Sequence, residues 1–181
     1  MPVDLKHSRQ DTKRTGWVER GVKDPESVAD HMYRMAVMTM LIGNKGDLDK
    51  ERCMKLALVH DMAEAVVGDI SPSQGITDED KHRQEKEAIT RMTDLLPEEI
   101  GKEIFQLYEE YESRQTKEAK FVKDLDMFDM IAQAYEYEKQ EKRPRELQDF
   151  FNSTKGKFQH PEVKEWVEEL NKERQASDGV S

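Results

Sequence analysis

The stretch Leu56-Ala-Leu-Val-His-Asp-Met-Ala-Glu-Ala-Val-Val-Gly-Asp69 constrains the fold more than any other part of the chain. It is apolar almost all round a helical wheel, the mark of a helix destined for the interior, yet His60, Asp61 and Glu64 sit at its centre. Taking an ionised group out of water is costly, so buried charges are paired or ligate a metal. Neighbours on a helix project about 100° apart, so His60 and Asp61 can both turn toward one point at its side. Glu64 lies one turn further on, at i+4 and i+3 from them, and borders the same point. The pattern predicts a metal site with a proton-handling carboxylate beside it. Other helices must complete it.

Those helices are legible from caps and periodicity. Asp24-Pro25 reads as N-cap and N1 of a helix running through Val28, His31, Met32, Met35 and Thr39 to about Gly43. Asp49 caps the second helix, which is expected to continue to Gly68. Thr77 and Asp80 open a third to Leu96, Pro97 a fourth to about Glu112, and Thr116 a long fifth. Pro144 interrupts; a short sixth helix carries Phe150 and Phe151, and a seventh runs from Pro161 to about Glu173. Residues 12–21, with Arg14, Trp17 and Arg20, show no helical periodicity. No alternating strand pattern, repeat or linker interrupts the series, so the fold class is all-α, about six to seven helices in one bundle. The domain spans 11–174, between a flexible 1–10 and a disordered tail at 175–181.

Composition narrows the partners. The net charge of −10 over 181 residues argues against a nucleic-acid polymer, which calls for a basic surface. A small phosphorylated substrate remains compatible if local cations receive it. The single cysteine, Cys53, excludes an intramolecular disulfide framework and fits a reducing compartment. No apolar run reaches the length of a membrane span and no signal segment is evident, so cytoplasm or nucleus is expected.

Two more ligands complete the set. His31 lies on an otherwise apolar face, and Asp126 sits between Leu125 and Met127 in Lys123-Asp-Leu-Asp-Met-Phe-Asp-Met130. Alone, His31 reads equally as a core histidine, and neighbouring Asp124 as a surface acid. Together, His31, His60, Asp61 and Asp126 offer two imidazoles and two carboxylates without thiolate, which points away from a structural zinc site. The set suits Mn²⁺, Fe²⁺, Co²⁺ or Zn²⁺ with positions left for water and substrate.

The ordered pattern His31, His60-Asp61, Asp126 resembles the HD-domain metal-dependent phosphohydrolase superfamily. His60-Asp-Met-Ala-Glu64 followed by Gly68-Asp69 is similar to its 5'-deoxynucleotidase branch, most closely the HD domain-containing protein 2 family. Arg14-Thr-Gly-Trp17, Glu26-Ser-Val-Ala-Asp-His31 with Met32-Tyr-Arg-Met35, and Lys123-Asp-Leu-Asp126 support it, over roughly residues 10–140. The resemblance implies a single HD-domain helical bundle, a homodimer, and hydrolysis of deoxyribonucleoside 5'-monophosphates by attack of a metal-bound water. It implies metal on His31, His60, Asp61 and Asp126, with Glu64 and Asp69 as catalytic acids. Glu64, Asp69 and the carbonyl of Ile70 offer a place for a second, hard cation such as Mg²⁺. Relatives carry an adjacent Arg-Trp that meets the phosphate and crowds the sugar 2' position. Here the pair is spread over Arg14 and Trp17, and Arg14 and Arg20 compete for the phosphate. The competing expectations are hydrolysis of a nucleoside triphosphate, cyclic nucleotide or alarmone, or a metal-stabilised helical scaffold without activity.

Overall fold

A computed structural model describes residues 12–43 and 47–178; the expected flexible segment 1–10 lies outside them. The described residues form an all-α fold: α1 Thr15–Glu19, α2 Val28–Leu41, α3 Lys50–Val59, α4 Glu64–Val67, a 3₁₀ turn Pro72–Gln74, α5 Asp78–Thr93, α6 Glu98–Ser113, α7 Lys117–Glu141, α8 Gln148–Thr154 and α9 Pro161–Asp178. Seven of these have seven residues or more, matching the expected number.

The central helix is α7, against which α2, α3, α6, α8 and α9 pack, while α5 packs on α6. Met35 from α2, Leu56 from α3, Ile89 from α5, and Val122, Leu125 and Ile131 from α7 are all essentially inaccessible to water. Burying each such side chain contributes about 1.5–3 kcal/mol. The three helices that carry the predicted metal ligands are thus held by a shared apolar contact.

The structure corrects four boundaries. The first long helix starts at Val28, not Asp24, which adopts a left-handed φ of 51°. Its N-cap is Ser27, in a reciprocal capping box with Asp30. Residues 25–27 stay out of the helix because the backbone of this segment pairs with the incoming chain: Arg14 N donates to Glu26 O at 3.1 Å and Val28 N to Thr12 O at 2.9 Å. Second, the aperiodic residues 12–21 contain α1. It holds by tertiary contact rather than propensity, since Thr15 N and Oγ1 each bond Asp69, both at 2.6 Å.

Third, the expected helix from Asp49 to Gly68 is interrupted. After Val59 the bonds tighten to i→i−3: Met62 N to Val59 O, Glu64 N to Asp61 O and Val66 N to Ala63 O, at 3.0, 3.1 and 2.9 Å. Tight turns of this kind within a helix are common at functional positions. Fourth, α9 is helical through 175–178, inside the stretch expected to be disordered. Arg174, 2 % exposed, and Ser177, whose Oγ lies 2.7 Å from Tyr135 Oη, fasten its end to α7.

Candidate metal centre

The break after Val59 presents the three acidic and basic side chains of the buried stretch to one cavity. His60 caps α3, Asp61 lies in the tight turn, and Glu64 opens α4. From α2 comes His31 and from α7 Asp126. His31 Nε2 stands 3.3 Å from Asp126 Oδ1 and 3.8 Å from Asp61 Oδ2, which is itself 3.2 Å from His60 Nε2. One ligand atom each from His31, His60 and Asp126 falls within 4.8 Å of the others. The four residues expected as ligands thus lie around one point, Asp61 through its approach to both imidazoles.

The outer edge of each group is already engaged. His31 Nδ1 bonds Asp129 Oδ2 at 2.7 Å, and His60 Nδ1 donates to the carbonyl of Ala57 at 2.9 Å. Asp126 Oδ2 accepts from Tyr111 Oη at 2.9 Å and Lys123 Nζ at 2.7 Å. The two inward nitrogens, Nε2 of His31 and of His60, are buried with no hydrogen-bond partner. Buried polar atoms are rarely left so. A ring held by Nδ1 with Nε2 open is how a metal-ligating histidine is oriented, so the residues present fit a divalent cation.

Electrostatics follow from the crowding. Burial and Arg14 oppose a charge on His31, but Asp126 and Asp129 outweigh them and lift it to about 9. Asp126 is half-buried, and desolvation alone would raise it, yet Lys123 and His31 hold it well below the usual carboxylate range. Asp61 is likewise held low against its burial by His60, Arg14 and His31. Glu64 goes the other way. Burial, then Asp61 and Asp69, push it well above an ordinary glutamate, and its Oε2 has no partner.

The cavity has a volume of about 510 Å³ and is lined by Arg14, Trp17, Lys81, Tyr111 and Phe150 besides His60, Asp61, Glu64 and Asp126. Arg14 reaches into it, its Nη1 3.2 Å from Asp61 Oδ2. Arg20 does not: it turns outward to Asp149 at 2.6 Å and lies over the Phe150 ring. The expectation for Arg20 is thus corrected, because the turn after α1 directs it away from the cavity. Trp17 is 2 % exposed and donates from Nε1 to Glu26 Oε1 at 3.0 Å. It is a core residue with one edge on the cavity. Asp69 Oδ2 is taken by Thr15 N, and the Ile70 carbonyl accepts from Lys81 Nζ at 3.3 Å. A second cation between Glu64, Asp69 and Ile70 would have to displace that ammonium.

Sequence reasoning does not reach Lys81, and it names Asp129 as an acid of the fifth long helix and Phe150 as a core or partner residue without placing either at the site. Asp129 lies three residues after Asp126, on the same side of α7, a spacing that gives the one usable signal. Phe150 arrives from beyond Pro144 and leaves none.

The chain is similar to known proteins along most of its length. A family model described as HD domain matches residues 7–166. The 5'-deoxynucleotidase HDDC2 of Mus musculus is 58 % identical over 164 residues, covering 91 % of this chain and 82 % of that protein. The enzyme of the same name from Dictyostelium discoideum is 52 % identical over 172 residues, 90 % of each. Among solved structures, a conserved hypothetical protein of Pyrococcus furiosus superposes with a TM-score of 0.74 at 35 % identity, covering 93 % of this chain and 96 % of its own.

Proposed function

The chain belongs to the HD domain family, and from that footing we propose that it is a metal-dependent 5'-deoxynucleotidase, a phosphomonoester hydrolase releasing phosphate from deoxyribonucleoside 5'-monophosphates. The observation that carries the reading is the pair of buried imidazoles with Nδ1 engaged and Nε2 open, beside a carboxyl group, Glu64, with an unpartnered oxygen. A structural site would not call for that last group.

We assign the divalent cation to His31, His60, Asp61 and Asp126. When bound it supplies Lewis acidity, lowering the pKa of water and offsetting charge on a phosphoryl oxygen. The mixed nitrogen and oxygen donors favour manganese or cobalt, and magnesium is the harder alternative. Burial and two neighbouring carboxylates disfavour the charged form of Glu64 in the metal-free protein, which suits it to donate a proton to the leaving 5'-oxygen. Arg14 and Lys81 supply cationic groups for the phosphate. Trp17 and Phe150, with ring centroids 4.5 Å apart, form the wall against which the sugar rests. Asp69 holds Thr15, and with it the Arg14 segment, against this site.

The finer expectations fit the same reading. An apolar stripe on α2, with Tyr33, Met40 and Leu41 70, 62 and 68 % exposed, supports a homodimer. No helix of the described residues is long and apolar enough to cross a membrane, and the lone buried Cys53 favours a reducing compartment, cytoplasm or nucleus.

The test is phosphate release from dAMP and AMP by metal-stripped protein with Mn²⁺, Co²⁺, Mg²⁺ or Zn²⁺ restored. Metal-dependent turnover of dAMP, slower on AMP and lost in Asp126→Ala, is expected. No turnover with any of the four ions would overturn the assignment.

A further inference from the structure

The cavity wall and the metal centre are joined by one chain of charges, buried at its carboxylates and half-buried at its guanidinium. Arg34 lies one turn after His31 on α2. Its guanidinium donates twice to Asp129, Nε to Oδ1 at 2.5 Å and Nη2 to Oδ2 at 2.6 Å. The same Nη2 stands 2.6 Å from Glu26 Oε2. At one end, Asp129 grips His31 Nδ1. At the other, Glu26 accepts the indole N–H of Trp17, and Tyr137 both bonds Glu26 N at 2.8 Å and packs edge-on against the indole. Asp129 is inaccessible to water and Glu26 nearly so.

We propose that Arg34 is a positioning residue that sets two parts of the site at once, the imidazole of His31 through Asp129 and the indole of Trp17 through Glu26. Arg34 itself does not line the cavity. A carboxylate with one oxygen shared between an imidazole and a guanidinium cannot rotate without breaking a short bond. The two-pronged grip on Asp129 therefore fixes its plane, and with it the direction of His31 Nε2. Only a planar fork bridges both carboxylates in this way; a lysine offers one point charge. The wall that meets the substrate and the ligand that meets the cation consequently share one support. The substrate part of this inference rests on the nucleotidase reading; the remainder does not.

The test uses a Trp166→Phe background, which leaves Trp17 as the sole tryptophan. Into it are placed Arg34→Gln and Arg34→Lys. Two readouts need no substrate: Mn²⁺ affinity by equilibrium dialysis, and the emission maximum of Trp17. Arg34→Gln is expected to weaken Mn²⁺ binding by about tenfold or more and to shift the emission to longer wavelength. Arg34→Lys restores each only in part. With substrate, the ratio of kcat/KM for dAMP over AMP narrows in Arg34→Gln. A folded Arg34→Gln protein with either Mn²⁺ affinity or emission unmoved overturns the shared role. Should that variant fail to fold, Glu26→Gln severs the wall end alone: emission and the dAMP:AMP ratio are expected to move while Mn²⁺ affinity holds, and an unmoved emission overturns the proposal. If the parent turns over neither nucleotide, the nucleotidase reading falls by itself, and the two substrate-free readouts still decide the role of Arg34.

Discussion

At the scale of single residues, proton and cation compete for the same nitrogen. In the metal-free protein burial works against the His31 imidazolium, but Asp126 and Asp129 more than offset it, so the group titrates near 9 rather than 6.5. A raised folded-state pKa stabilises the fold fully below 6.5 and loses that contribution as pH climbs to about 9. Urea unfolding of metal-stripped protein should show wild type exceeding His31→Gln by a margin that shrinks over this window; a margin that grows would contradict the assignment. Glu64→Gln removes a transferable proton without changing size. It should lower kcat by about two to four orders of magnitude while Mn²⁺ affinity stays within a few-fold, and an unimpaired kcat would remove Glu64 from proton transfer. Lys81→Met should act on KM for dAMP, since Lys81 is half-buried on the cavity wall with only a 3.3 Å bond to Ile70 O and looser contacts to Glu64 and Glu85. His31, His60, Asp61, Glu64 and Asp126 are legible in the sequence because ionisable groups in apolar surroundings are rarely accidental. Arg14 and Arg20 are not separable there, since a short helix whose existence depends on Asp69 decides which one faces inward.

At the scale of elements, amphipathic periodicity and caps make the long helices legible, and Thr77, Thr116 and Asp49 cap α5, α7 and α3 as expected. The tight turn between α3 and α4 leaves no trace in composition, because the apolar run continues straight through it. What ends α4 is visible: Gly68 adopts φ 81°, ψ 166°, a region closed to side chains. Gly68→Ala should cost about 1–3 kcal/mol and loosen Asp69 from Thr15, read as a lowered Tm together with reduced kcat; an unchanged Tm would refute it. On α2, the exposed stripe should be the seam of the proposed homodimer. Met40→Glu combined with Leu41→Glu is expected to yield monomer by light scattering, with helicity retained, and an intact dimer would move the seam elsewhere.

At the scale of the molecule, the last helix closes on α7. Arg174 and Glu138, 2 and 3 % exposed, bond at 2.8 Å, and the guanidinium lies 3.7 Å over the Phe151 ring. Removing Arg174 leaves the buried Glu138 charge with only the Leu147 N–H at 2.9 Å, so Arg174→Met should destabilise by about 3–5 kcal/mol, with part of it regained in Glu138→Gln/Arg174→Met. The double variant failing to recover would show that the packing over Phe151, not the charge, is what matters. The tail boundary is illegible in the sequence for this reason: a polar C-terminal segment reads as loose unless its buried partner far upstream is known.

Phe150 has a consequence of timing. During synthesis the ribosome releases Arg14, both histidines, Asp61, Glu64 and Asp126 well before Phe150 and Arg174. The parts that grip an ion are therefore complete while the cavity still lacks a side. A nascent chain paused between those points holds Trp17 without Phe150, one of the two rings that together wall the cavity.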